Sequence, residues 1–255
     1  MPDRLSARRL LRMLDLTSLG EDDPPARIAA LCEAAEPRHG SVAAVCVYPE
    51  HVQACRARLA GGPVRVATVV NFPDGAANPD RAARECRRAL AVGAQEVDLV
   101  FPWRALQAGD AAVGGRVVSA CRAVLPEGIP LKVILESGML DPMQLRAASM
   151  LALQAGADFL KTSTGKAAAG ASPEAVQAML AAIGDSGRAC GLKVSGGVRT
   201  FADAMAYLQL VESMMGEGWA TPARFRIGAS SLHDDLLRVL ERDTDAGHAA
   251  GGMAY

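Results

Sequence analysis

The chain has 255 residues, half of them apolar, with 27 basic against 28 acidic side chains and a formal charge of −1. Near-neutrality excludes a general electrostatic role on nucleic acid or an anionic membrane surface, and no apolar run reaches bilayer-spanning length. The length allows one large domain or two small ones, and α/β barrels of this size are commonly a single unit with a substantial core.

In chain order, the Arg-rich start MPDRLSARRLLRMLDL carries Asp3 and Asp15, which argues for a first amphipathic helix rather than a transit peptide. Short apolar, β-branched runs then recur at 13–17, 42–48, 64–70, 96–101, 131–136, 158–162, 191–195 and 224–227. Their spacing, roughly 20–35 residues, is that of βα units. The intervening segments predict helices. Asn78–Ala91 is rich in Ala, Arg and Glu. Asp141–Gln154 opens with Asp then Pro, and Ser172–Ile183 with Ser then Pro, the N-cap and first-turn pattern. Gly93, Gly156 and Gly187 stand where C-caps belong. Eight strand–helix units predict a closed (β/α)8 TIM barrel, single domain, over residues 1–242. An open doubly wound sheet is the alternative, because the first run is the weakest. Residues 243–255, rich in Gly and Ala, are expected to form a flexible tail.

Six cysteines are scattered without a C-x-x-C pair, which predicts reduced core thiols in a cytoplasmic protein. Four isolated histidines make no metal-ligand spacing, so no metal is expected.

Only four of the 27 basic residues are lysines: Lys132, Lys161, Lys166 and Lys193. Arginine stays protonated, whereas lysine can lose its proton when desolvated and then act as a nucleophile. Three of the four lie in apolar strand-like runs, PLKVILES, DFLKTSTGK and GLKVSGG. Codon bias with snorkelling lysines is the bland alternative. Polar residues also gather where a barrel does chemistry, at the C-terminal strand ends. Asp98 sits inside EVDLVFPWRAL, Lys161 ends the sixth run and Lys193 lies in the seventh. Asp15, Thr17, Cys46, Asn71 and Lys132 are the expected supporting residues. Singly, each charge has an ordinary explanation: Asp98 paired with an arginine, Asp15 capping a turn, Lys132 paired with Glu136.

Three loops are suited to an anion. Thr164, Gly165 and Lys166 follow the sixth run, Gly196, Gly197, Val198 and Arg199 the seventh, and Gly228, Ser230 and Ser231 the eighth, before an apparent helix. Glycines let backbone N–H groups approach a phosphate, and barrels often hold one with the last two loops. A nucleotide P-loop is excluded, because Leu160 stands where its first Gly is required and Ala167 where Ser or Thr belongs. With no G-x-G-x-x-G either, no nucleotide cofactor is expected.

The strings EVDLVFPWRAL, LKVILESG, AGADFLKTSTGK, GLKVSGGVRT and RFRIGASSL, with DLTSL, AAVCVYP and VVNFPDG before them, occur in one order that resembles the deoxyribose-phosphate aldolase family from about residue 10 to 240. The resemblance implies a cofactor-free class I aldolase on a (β/α)8 barrel, interconverting 2-deoxy-D-ribose 5-phosphate with acetaldehyde and D-glyceraldehyde 3-phosphate. It implies that Lys161 forms the Schiff base and that Lys193 and Asp98 transfer protons. The basic, glycine and serine positions of the three loops would hold phosphate. Val194-Ser195 departs from the Pro-Ala of some members but leaves the lysine and both glycines intact. Tyr255 matches the terminal tyrosine of longer members, whose tail reaches the active site. A homodimer is also implied. The competing functions are a Schiff-base aldolase or transaldolase for another sugar phosphate, and a sugar-phosphate sensor without turnover.

Overall fold

The computed structural model describes residues 2–248, with side-chain placement within 3–242. Its eight parallel strands close in sequential order, β1 pairing with β8 through Leu14 and Ile227. The helix α1 (Pro2–Leu11) precedes β1 (Leu14–Ser18), and α2 (Pro25–Ala34), β2 (Ala44–Val47), α3 (Val52–Arg58) and β3 (Arg65–Val70) follow. Next come α4 (Pro79–Ala91), β4 (Glu96–Val100), α5 (Trp103–Gln107), α6 (Ala111–Val124) and β5 (Leu131–Ile134). The second half runs α7 (Pro142–Gln154), β6 (Phe159–Lys161), α8 (Pro173–Ser186), β7 (Gly191–Ser195), α9 (Phe201–Met215), β8 (Phe225–Ala229) and α10 (Leu232–His248). The expected closed barrel is what forms. The last helix continues into the segment predicted as a tail, and residues 249–255 lie outside the described residues.

Local chemistry sets the helix starts. Asn78 accepts from the Arg81 N–H ahead of Pro79, and Ser172 accepts from the Ala175 N–H ahead of Pro173. Asp141 with Gln144, and Thr200 with Asp203, form reciprocal capping boxes. Gly187 ends α8 at φ 65°, a left-handed conformation that glycine adopts without steric cost.

Strand alternation splits the core in two. Outward residues such as Val45, Val47, Val66, Val97 and Leu99 join the continuous apolar layer beneath the helices. Inside the barrel, Ala44, Cys46, Ala67 and Val69 form a separate small cluster on β2 and β3. These short side chains leave room for the long ones that reach in from β5, β7 and β8, where Lys132, Lys193 and Arg226 are buried together with Asp15 on β1 and Glu96 and Asp98 on β4. A barrel interior is filled by side chains, not left as a pore. This one is filled with both apolar and charged groups.

Candidate active site

Strand register sets like charges abreast. Lys161 on β6 is the cross-strand partner of Lys193 on β7, and Lys193 in turn partners Arg226 on β8. Neighbouring like charges repel, the more so away from water. Carboxylates from β1 and β4 offset the repulsion. Asp98 accepts from Lys132 at 2.7 Å on Oδ1, and from both Lys161 and Lys193 at 2.8 Å on Oδ2. Asp15 lies 2.6 Å from Lys193 Nζ and 2.6 Å from Arg226 Nη1. Glu96 lies 2.7 Å from Lys132 Nζ and 3.0 Å from Arg226 Nη2. Arg226 also donates from Nε to the Pro222 carbonyl. Four basic groups thus share three carboxylates, and Lys161 is the one that contacts a single carboxylate.

Proton affinities follow this sharing. Burial pulls the Lys161 amine below the usual lysine range; Asp98 opposes the pull and Lys193 adds to it. Burial pulls the same way on Lys193 and Lys132, but there the carboxylates prevail. Asp15 and Asp98 hold Lys193 above the ordinary value, and Asp98 and Glu96 hold Lys132 above it. Against burial, which would raise it, Lys132, Lys161 and Lys193 hold the Asp98 carboxyl well below the usual carboxylate range. One amine with weakened proton affinity therefore stands beside a firmly ionised acid and a firmly protonated base.

Lys161 and Thr17 open onto a cavity of about 300 Å³ at the C-terminal rim. All ten residues expected to hold phosphate line it: Thr164, Gly165 and Lys166; Gly196, Gly197, Val198 and Arg199; Gly228, Ser230 and Ser231. Gly196 and Gly197 take φ 87° and 96°, a turn that bulkier residues resist. The last loop leads into α10, and the first N–H groups of a helix have no partner within it, which suits an anion. The side chains of Lys166 and Arg199 are exposed at the rim. Gly228 is needed for a second reason: a Cβ there would stand 3.0 Å from Lys193 Cε and 3.1 Å from Ser195 Cβ.

The rim is fastened strand to strand. Thr162 Oγ1 donates to the Ser195 carbonyl at 2.9 Å and accepts from the Ser195 N–H at 2.9 Å, and Ser195 Oγ donates to the Ser163 carbonyl at 2.7 Å. Glu136, left-handed at φ 55°, turns away from Lys132 and accepts from Thr164 Oγ1 at 2.6 Å and from its N–H at 3.1 Å. The alternative pairing of Lys132 with Glu136 is thereby corrected. So are the two other ordinary explanations, since Asp98 pairs with lysines, and Asp15 bridges Lys193 and Arg226 instead of capping a turn.

Cys46 is buried inside the barrel across from Thr17, its thiol pushed up by burial. Asn71 does not join the site. It is left-handed at φ 53°, donates to the Ala76 and Val100 carbonyls at 3.0 Å, and so fastens the loop after β3. Tyr255 lies outside the described residues. Sequence reasoning missed Glu96, Arg226 and the role of Glu136. Period-two alternation held the signal for the first two, because Glu96 is two residues before Asp98 and Arg226 two before Gly228. Among the described residues, no group of three or more His, Cys, Asp or Glu side chains is placed to hold a metal ion, and no helix is long and apolar enough to cross a membrane.

Fold and site define a class: (β/α)8 barrels whose chemistry is done at the C-terminal rim by side chains from several strands. Comparison narrows the class. A model of the DeoC/LacD family of aldolases matches residues 11–238, and the chain belongs to that family. Solved structures agree. A Coccidioides immitis protein provisionally designated a deoxyribose-phosphate aldolase is 30% identical, with 89% of this chain and 85% of that one covered and a TM-score of 0.78. A Toxoplasma gondii protein with the same provisional designation is 26% identical over 96% and 98% of the chains, with a TM-score of 0.88. The tetrameric deoxyribose phosphate aldolase of Aeropyrum pernix shares the fold at 24% identity, over 96% and 97% of the chains, with a TM-score of 0.75.

Proposed function

We propose that this chain is a class I aldolase, requiring no cofactor, that reversibly cleaves 2-deoxy-D-ribose 5-phosphate to acetaldehyde and D-glyceraldehyde 3-phosphate through a Schiff base on Lys161, in the cytoplasmic breakdown of deoxyribose phosphate. One observation carries the reading: the single interior amine with lowered proton affinity is also the one that lines the anion-suited cavity. The designations of the Coccidioides and Toxoplasma proteins point to the same substrate.

The unprotonated Lys161 Nζ adds to C1 of the open-chain sugar. The adduct passes an N–H proton by way of Asp98 to its C1 oxygen, Lys193 gives that oxygen a second proton, and water leaves to give the iminium. Asp98, ionised and 2.8 Å from both amines, is the proton acceptor; Lys193, firmly protonated, is the donor. Removal of the C3 hydroxyl proton then breaks C2–C3, and the electron pair moves into the iminium to form an enamine. Glyceraldehyde 3-phosphate departs. C2 is reprotonated, an exchange for which the family resemblance suggests Tyr255, and water releases acetaldehyde and free Lys161. The phosphate, remote from the broken bond, is held by the glycine and serine loops and supplies orientation. Incubation with acetaldehyde and borohydride should leave an ethyl group on Lys161, located by peptide mass analysis. No labelling, or labelling confined to other lysines, defeats the proposal.

A further inference from the structure

Six interior side chains close a ring of alternating charge. Asp15 contacts Lys193 at 2.6 Å, Lys193 contacts Asp98 at 2.8 Å, and Asp98 contacts Lys132 at 2.7 Å. Lys132 contacts Glu96 at 2.7 Å, Glu96 contacts Arg226 at 3.0 Å, and Arg226 returns to Asp15 at 2.6 Å. Three negative and three positive charges cancel within the ring. Lys161 hangs from it as a seventh member, attached at Asp98.

We propose that Glu96 and Arg226, the ion pair on the far side of this ring, are positioning residues that complete its charge balance and so leave Lys161 as the amine without a matching negative charge. The inference rests on Lys161 being the reacting amine. Neither residue lines the cavity. Both are buried, and a buried ion pair is weakly motivated by stability alone, because desolvation offsets its attraction. Both reach Lys161 only through shared partners, by way of Asp15 and Lys193 or by way of Lys132, in each case ending at Asp98. The groups facing Lys161 are Asp98 on β4, Lys193 on β7 and the Cys46 thiol on β2. Those facing Arg226 are Asp15 on β1, Glu96 on β4, its cross-strand partner Lys193 on β7, the Phe159 ring on β6 at 5.9 Å and the Pro222 carbonyl. Arg65 on β3 also approaches Glu96, at 3.9 Å, but its half-exposed side chain is screened by water.

A ring that acts through charge has a signature that a merely structural pair lacks. Removing its positive half and removing its negative half must move Lys161 in opposite directions. The test is the pH dependence of borohydride trapping by acetaldehyde in the full chain, followed at Lys161. Arg226→Met leaves an unmatched carboxylate, which favours the Lys161 ammonium. The trapping midpoint should move to higher pH, and trapping below it should slow about tenfold, the effect of one unit charge across roughly 10 Å at an effective dielectric near 20. Glu96→Gln leaves an unmatched cation, and the midpoint should move to lower pH. The double variant restores neutrality, and its midpoint should return to that of the parent. Shifts of the same sign, no shift, or a double variant displaced from the parent would overturn the proposal. Should Arg226→Met fail to fold, Glu96→Gln and the double variant, which removes the pair whole, still decide it. Absence of label on Lys161 in the parent protein would instead refute the underlying aldolase reading.

Discussion

Replacing Lys193 with leucine gives the most direct measure of how the site frees its amine. The Nζ atoms of Lys161 and Lys193 both lie 2.8 Å from Asp98 Oδ2, so they are no farther apart than twice that distance. At roughly 6 Å and an effective dielectric near 20, two unit charges repel by about 3 kcal/mol. That corresponds to a factor on the order of 100 in the ratio of free amine to ammonium at fixed pH. Asp98 adds to the effect, because losing one cation leaves its charge more available to Lys161. In Lys193→Leu, the acid limb of kcat/KM for deoxyribose phosphate cleavage should therefore move to higher pH. The trapping rate with acetaldehyde at pH 7 should fall about 100-fold. Trapping matters as the second assay because it requires the nucleophile but not retro-aldol proton transfer. A variant that melts cooperatively yet keeps the parent's acid limb in both assays would show that Lys193 does not depress Lys161. A limb displaced to lower pH would contradict the electrostatics outright.

Two further substitutions separate nucleophile from scaffold. Lys161→Met should abolish both cleavage and trapping while raising the melting temperature by a few degrees at neutral pH. A base whose folded affinity is lowered destabilises the protein below its unfolded value, and an unbranched apolar chain removes that cost; a lower melting temperature would mean that the ammonium–Asp98 pair prevails. Glu136→Gln should weaken the charge-assisted bond from Thr164 by about 1 kcal/mol and raise KM for the phosphorylated sugar several-fold, with acetaldehyde trapping unchanged. Loss of trapping in that variant would place Glu136 in the chemistry and not in fastening the rim.

The eight strands were legible because each is a short apolar run, most of them β-branched, flanked by turn chemistry, and errors were confined to their ends. Gly191–Ser195 coincides with its prediction, while the second run, read from Val42 to Tyr48, contracts to Ala44–Val47. The loops that line the cavity were legible because glycine and serine cluster in them just after the strands. The charge ring was not. Glu96 and Arg226 each look like an ordinary polar residue near a strand start, and what unites them is barrel closure, which brings side chains of the non-adjacent strands β4 and β8 together in the interior and which local pattern does not contain. Glu136 was misread for a related reason. Four residues from Lys132, it would share a strand face with that residue if the strand continued, but β5 ends at Ile134 and a left-handed residue redirects the side chain toward Thr164.

The titration directions show where the interior concentrates its electrostatic cost. Lys132 and Lys193 are held above the ordinary lysine value, so their contribution to stability is complete below the unfolded pKa and is lost only as pH rises through the folded one. Asp15 and Asp98 are held below the ordinary aspartate value, so theirs is complete above the unfolded pKa and is lost only as pH falls through the folded one. Both groups favour the folded barrel at neutral pH. Lys161 has the opposite sign. Its proton affinity is lower folded than unfolded, so stability rises as pH climbs through its folded pKa toward its unfolded one. Six charges satisfy one another and fix the geometry, while the seventh carries the imbalance at the rim, where under the proposed function a carbonyl carbon would relieve it. A network evolved for stability alone would have no use for that odd amine. Its presence is the strongest internal argument that the barrel is built around a nucleophile.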